Sequence, residues 1–300
     1  MSPARYHLVM HLVVLIYGFT GILGELITVD SFQLVWHRMS IAALGIAAFL
    51  LYRGIPFGAG RGDAFRMLGI GFLIALHWIA FFSAINASNV SVTLGCMASA
   101  SLFTAFLEPL FFKKRVRLYE VVLGMMVIGG LWTIFRYEAH YATGIGLALL
   151  ASFSAALFTV INARMIRDRG AAIISFYEMI GGTIGISLFF LISGKELGSL
   201  FRMPLSDYSY LLVLGLICTA FAFMASVHVM KVLNPFSVSL TINLEPVYGI
   251  ILAFLFFGEE EKMSLGFYLG TSMILAALFT DAWMKRASGN SSQGPPDLSS

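Results

Sequence analysis

A carboxylate in the middle of a membrane-length apolar run is the strongest chemical signal in this chain. The run Ser237–Phe257 carries Asn243, Glu245 and Pro246 near its centre. About 20 apolar residues at ~1.5 Å rise cover a ~30 Å hydrocarbon core, so the stretch is long enough to cross a bilayer. An acid facing lipid there costs roughly 2.5 kcal/mol or more, which directs Glu245 toward a protein interior or a water-filled cavity. Pro246 has no amide hydrogen and clashes with the turn before it, so the Ile242 carbonyl loses its helical partner beside the acid. Tyr248, three residues on, shares the face of Glu245; Asn243, two residues before, does not, and is placed to bond across to another helix. Burial favours the protonated form of any carboxylic acid, which leaves proton coupling open alongside a purely structural role.

Other polar residues inside apolar runs carry two readings each. Thr93, Met97, Ser101, Thr104 and Glu108 are spaced by four, four, three and four residues and so form one polar-leaning helical stripe. The stripe lines a cavity or serves small-residue helix packing. Glu108 lies a turn from Lys113, so it acts in a gate, in coupling or as a snorkelling acid paired with a basic neighbour. His77 and Trp78 sit near mid-depth of another run, with Phe81 a turn on from His77. The histidine relays a proton, meets a substrate carboxylate, or is a satisfied packing residue. Arg38, beside Trp36 and His37, and Glu178, beside Tyr177, lie some seven residues into two further runs, Arg38 near the outer face and Glu178 nearer the inner one, and read as structural or gating charges. His7 and His11 have the i, i+4 spacing of a metal pair, but no acid base accompanies them, so no metal site is expected.

The elements that position these residues follow from composition. With 59% hydrophobic and 12% charged residues and a mean hydropathy of +0.87, the chain is expected to be an all-α polytopic membrane protein. Apolar segments fall at about Tyr6–Leu23, Phe32–Tyr52, Met67–Ile85, Ser91–Phe112, Leu118–Phe135, Gly144–Ala163, Ala171–Ile192, Tyr208–Val229, Phe236–Phe257 and Ser264–Met284, ten candidate transmembrane helices. Glu25 and the immediate second span make the first an uncleaved helix rather than a signal peptide. Residues 287–300, rich in Ser, Gly and Pro, read as a disordered tail. With the N-terminus in the cytoplasm, fourteen Lys and Arg fall inside and four outside, so both termini are expected to be cytoplasmic. Cys96 and Cys218 lie in apolar runs and suggest no disulfide. No basic patch with interleaved aromatics points to nucleic acid.

The two halves resemble each other at an offset of about 145 residues: Asn89 matches Asn234, Leu110-Phe111-Phe112 matches Leu255-Phe256-Phe257, and Gly124 matches Gly270 after one insertion. Five helices per copy is odd, so the second copy crosses in the opposite sense, giving two inverted five-helix repeats, residues 1–141 and 142–286. This architecture, the short turn between the fourth and fifth helices, and the segment Asn243-Leu244-Glu245-Pro246-Val247-Tyr248-Gly249 followed by Phe256-Phe257-Gly258-Glu259 resemble the EamA family of the drug/metabolite transporter superfamily. The first half departs from it, with Lys113-Lys114 where the second has Gly258-Glu259, and Ala100-Ser101 opposite Glu245-Pro246. The resemblance implies secondary transport of small metabolites, commonly amino acids or relatives, often outward, across the cytoplasmic membrane and without a cofactor. An intramembrane enzyme or sensor is the rival reading, but no G-x-S-x-G or H-E-x-x-H motif accompanies the buried polar residues.

Overall fold

The computed structural model describes residues 3–112, 118–166, 170–229, 241–242 and 244–289, and among these it is helical with no strand. In order the helices are α1 (Pro3–Leu26), α2 (Ser31–Tyr52), α3 (Arg61–Ala87), α4 (Val90–Met97), α5 (Ala100–Phe112), α6 (Leu118–Tyr137), α7 (Ala142–Met165), α8 (Ala171–Ile192), α9 (Leu205–Gly215), a π-helical turn (Leu216–Phe221), α10 (Ala222–Val229), α11 (Glu245–Phe257) and α12 (Leu265–Gly289). Seven stretches among the described residues are long and apolar enough to cross a membrane: Arg5–Leu26, Ser31–Tyr52, Arg61–Ala87, Val90–Leu107, Ala139–Met165, Ala171–Ile192 and Leu205–Ser226. Val121–Tyr137 and Leu265–Ala277 are shorter apolar helices. Residues 236–240, the first part of the expected ninth span, lie outside the described residues, as do Asn243, residues 290–300, and the side chains of Ser101 and Glu108. Helix α12 continues through Gly289, past the expected start of the tail at 287, because its last turn extends a helix already formed and needs no new nucleus.

Local chemistry sets the helix ends. Asp30 caps α2, its Oδ1 accepting from the amides of Phe32 at 2.9 Å and Gln33 at 3.2 Å, and Asn89 caps α4 through Val92 N at 2.8 Å. Helices α2 and α8 end alike. Gly54 and Gly194, at φ 62° and 70°, take the left-handed turn, and the next amides, Ile55 and Lys195, reach back to Leu50 O and Phe190 O. The fourth span breaks at Ala98–Ser99, where a continuous helix was expected. Both the amide and the hydroxyl of Ser99 bond the Cys96 carbonyl, at 3.0 and 2.7 Å, and so compete with the regular helical ladder. In the expected ninth span Leu244 stands in a turn and α11 starts at Glu245, with Pro246 in its first turn. Helices α2 and α8 are both 22 residues long.

Large apolar side chains line the outside of the bundle, Leu44, Leu110, Met125, Leu150, Leu191 and Leu255 among them, and Trp132 and Trp283 are exposed near helix ends. Lipid tails accept such a surface. Inside, α2 packs on α8, α4 on α11 and α6 on α12; α3 packs on α7 and α8, α1 on α10 and α11, α2 on α9, and α5 on α7. At one end of the bundle, buried polar groups tie the loops together. Asp207 Oδ2 accepts from the amide and hydroxyl of Thr28, at 3.0 and 2.9 Å. Gln33 Nε2 donates to Leu200 O at 2.6 Å. Glu261 accepts from Val90 N and Ser91 N at 3.0 and 2.8 Å, and Glu138 accepts from Ser264 N at 3.1 Å.

Candidate functional site

Arg38 lies a third of the way along α2 and is 2% exposed. Its Nε donates to Thr219 Oγ1 at 2.7 Å, and its guanidinium carbon stands 3.9 Å from the centroid of the Trp78 ring on α3, with the Phe82 ring at 5.6 Å. A cation over a tryptophan face out of water gains about 2 kcal/mol. Thr219 belongs to the π-helical turn, and its hydroxyl donates in turn to Leu214 O, five residues back, at 2.7 Å. The wider turn thus holds a hydroxyl acceptor toward α2, a usual office of a π-bulge at a polar site. Arg38 Nη1 has no hydrogen-bond partner.

Facing this group are side chains from three other elements. Tyr17 on α1 donates to Ser226 Oγ on α10 at 3.1 Å. Glu245 begins α11, and Cys218 adjoins Thr219. Arg38, Tyr17, Cys218 and Glu245 lie close enough to interact electrostatically. Helices α1 and α11 meet backbone to backbone just beyond, where a Cβ on Gly18 would stand 3.0 Å from Gly249 N, so the absence of side chains brings Tyr17 and Glu245 to one crossing. Glu245 and Arg38 form no direct ion pair. Ion pairs among the described residues include Asp63–Arg66, Glu196–Arg202 and Glu259–Lys262, and Glu138 lies 3.8 Å from His140, all near helix ends or in loops.

The remaining candidates from the sequence distribute around this cluster. Trp78 supplies its floor. His77 is 8% exposed, bonds Ala151 O through Nδ1 at 2.8 Å and packs against Phe81 and Phe158, so its Nδ1 carries the proton. Tyr248 Oη meets His11 Nδ1 at 3.3 Å, which gives His11 a partner other than a metal. The helix break separates Thr93 and Met97 from the rest of their stripe; Thr93 meets Ser88 Oγ at 3.3 Å, and Thr104 bonds its own helix at Ala100 O, 2.8 Å away. Glu178 is fully buried beside Asn162, and neither of its oxygens nor Asn162 Oδ1 has a partner in hydrogen-bond geometry. Among the described residues no three His, Cys, Asp or Glu side chains are arranged to hold a metal ion. Tyr17, Thr219 and the acids Asp207, Glu138 and Glu261 at the tied end were not candidates from the sequence. A polar side chain near the centre of its apolar run was the available signal for Tyr17 and Thr219.

A helical bundle with an apolar exterior and a polar cluster buried between its helices is a multi-pass membrane protein. Two stretches, residues 4–136 and 142–280, match the family model described as the EamA-like transporter family. The chain belongs to that family, within the drug/metabolite transporter superfamily, and is a membrane transporter. Among its relatives is a protein of Bacillus subtilis (strain 168) named "Uncharacterized transporter YdfC", 26% identical over 199 residues; the match spans 63% of each chain, just under two thirds. An "Uncharacterized transporter" of Archaeoglobus fulgidus is 23% identical over 290 residues, 92% of this chain and 96% of that one. A protein of solved crystal structure shares the fold with a TM-score of 0.67 at 15% identity, over 95% of this chain and 99% of its own.

Proposed function

We propose that the protein is a secondary transporter that carries small organic metabolites, amino acids or related compounds, across the cytoplasmic membrane by alternating access, with net flux outward. Ten spans form two inverted halves, residues 1–141 and 142–286, and both termini are cytoplasmic. The observation that carries this reading is the polar cluster inside the bundle at which both halves converge: half-buried Tyr17 and buried Arg38 and Trp78 come from the first, buried Thr219 and Ser226 and half-buried Glu245 from the second. Such a site between inverted repeats, beside a broken helix, suits a binding site that is exposed to each side in turn. Exchanging the two sets of five spans turns the α3–α8 contact into α2–α9, the α3–α7 contact into α1–α10, and the α5–α7 contact into α1–α11, while α2–α8, α4–α11 and α6–α12 map onto themselves. The equal lengths of α2 and α8 support the same division, as do the two family matches. The excess of Lys and Arg at the end of the bundle opposite Asp207, Glu138 and Glu261 supports the orientation.

Glu245, Asn243, Tyr248, His77, Trp78, Ser101 and Thr104 are the lining residues of this account, and Arg38, Glu108 and Glu178 its charged supports. The test is flux of a radiolabelled amino-acid and metabolite panel in proteoliposomes, with and without an imposed proton gradient, for wild type and Glu245→Gln. Gradient-driven flux lost in the variant, with exchange retained, makes Glu245 a coupling residue. Flux indifferent to gradient and substitution removes that role and leaves a facilitator. Absence of flux from folded protein across the panel contradicts transport itself.

A further inference from the structure

The unpaired edge of Arg38 identifies more than a structural charge. A guanidinium stays protonated in proteins and offers five N–H donors in a planar fork. Here Thr219 takes the Nε hydrogen, Trp78 covers one face at 3.9 Å, and Nη1 has no acceptor although the residue is 2% exposed. Trp78 on one face and Thr219 at Nε leave the terminal nitrogens as the donors still to be used, and Nη1 among them is enclosed without a partner. Burying a full charge without a counter-charge is costly, and an in-plane pair of N–H donors is the geometry a carboxylate satisfies with two parallel hydrogen bonds. Glu245 is held by α11, whose backbone is in turn held against α1 at Gly249 and Gly18, and it does not reach ion-pair distance. A doubly charged phosphate would call for a second cation; the other described Lys and Arg side chains lie at helix ends or in loops.

We propose that Arg38 is the anchor for a carboxylate group of the transported solute, which lies between its terminal nitrogens and Tyr17 with its apolar part along Trp78. This assignment rests on the transport reading above and narrows its substrate class to small organic carboxylates. Arg38 then contacts substrate, and Thr219 is a positioning residue that aims it.

The test compares solutes that differ only in the anionic group: hexanoate with hexanamide, 3-phenylpropionate with 3-phenylpropionamide, and N-acetylphenylalanine with its amide. Each pair is measured on the full chain by ligand-induced shift of melting temperature in detergent and by radiolabelled flux in proteoliposomes. The expected result is acid binding at least about tenfold tighter than amide binding. That ratio collapses toward one in Arg38→Gln and is partly kept in Arg38→Lys, which retains the charge and loses the fork. Thr219→Val weakens the acid preference. Should Arg38→Gln fail to fold, the wild-type ratio and the Thr219→Val variant carry the decision. Equal binding of acid and amide, binding of neither, or an acid preference that survives Arg38→Gln overturns the carboxylate site. Acid-selective binding without flux keeps the site and overturns transport; flux of amides or amines without acid preference keeps transport and overturns the site.

Discussion

Arg38 can remain in the middle of the bundle because each part of it that is already satisfied is satisfied by a different helix: Nε by Thr219 and the ring face by Trp78. Removing the Thr219 hydroxyl leaves a second donor of the same guanidinium unpaired and frees Leu214 O as well. Thr219→Val is therefore expected to lower stability by about 1–3 kcal/mol, and Thr219→Ser to recover most of it. Thermal unfolding of the purified protein in detergent checks this, and a Thr219→Val protein that melts with wild type contradicts it. Arg38 and Glu178 were legible in the sequence as charges inside membrane-length runs, because an ionisable residue in an apolar run stands out whatever the fold. Thr219 was not. Its role depends on a π-turn that no residue type announces, and a threonine beside a cysteine in a transmembrane run reads as packing.

At the scale of elements, breaks and caps place the cluster. The break before Glu245 was legible through Pro246, which cannot continue a helical ladder. The break at Ala98–Ser99 was not, since it depends on a serine hydroxyl taking the Cys96 carbonyl and on Ser152 Oγ, 2.9 Å from that hydroxyl across α7. The loop acids were equally hidden, because an acidic run after a span reads as a solvated turn. Glu261 is instead 3% exposed and places its carboxylate on the first amides of α4, where the positive end of a helix favours an anion. Glu261→Gln is expected to cost about 1–3 kcal/mol and to loosen the start of α4. In a Cys218→Ala background this appears as faster alkylation of buried Cys96 by a membrane-permeant maleimide. Glu260→Gln, at an exposed neighbour, leaves both readouts at wild-type values, and identical behaviour of the two variants removes the cap from the account.

At the scale of the whole molecule, the apolar exterior and the distribution of basic residues define a bundle with two unlike ends. Composition made the membrane class legible at once. The pairing of helices was legible only as far as the repeat suggested it, since which helix packs on which depends on small-residue crossings such as Gly18 with Gly249 that hydropathy does not encode. Orientation is tested with single cysteines at Gly58 and Gly198, where an added side chain meets nothing within 4 Å, while native Cys96 and Cys218 are buried. An impermeant maleimide applied to intact cells is expected to label Gly198→Cys and spare Gly58→Cys; the opposite pattern reverses the orientation.

Alternating access requires the tied end of the bundle to open. Thr28 and Asp207 join the two halves there, 2.9 Å apart between Thr28 Oγ1 and Asp207 Oδ2. The most direct measurement is flux in proteoliposomes of the Thr28→Cys/Asp207→Cys protein before and after bridging with a short, reducible cross-linker. Flux that stops on bridging and returns on reduction is the result this mechanism predicts. Flux that continues at the unbridged rate through a fully bridged protein contradicts it, because the solute would then cross without the tied end ever separating.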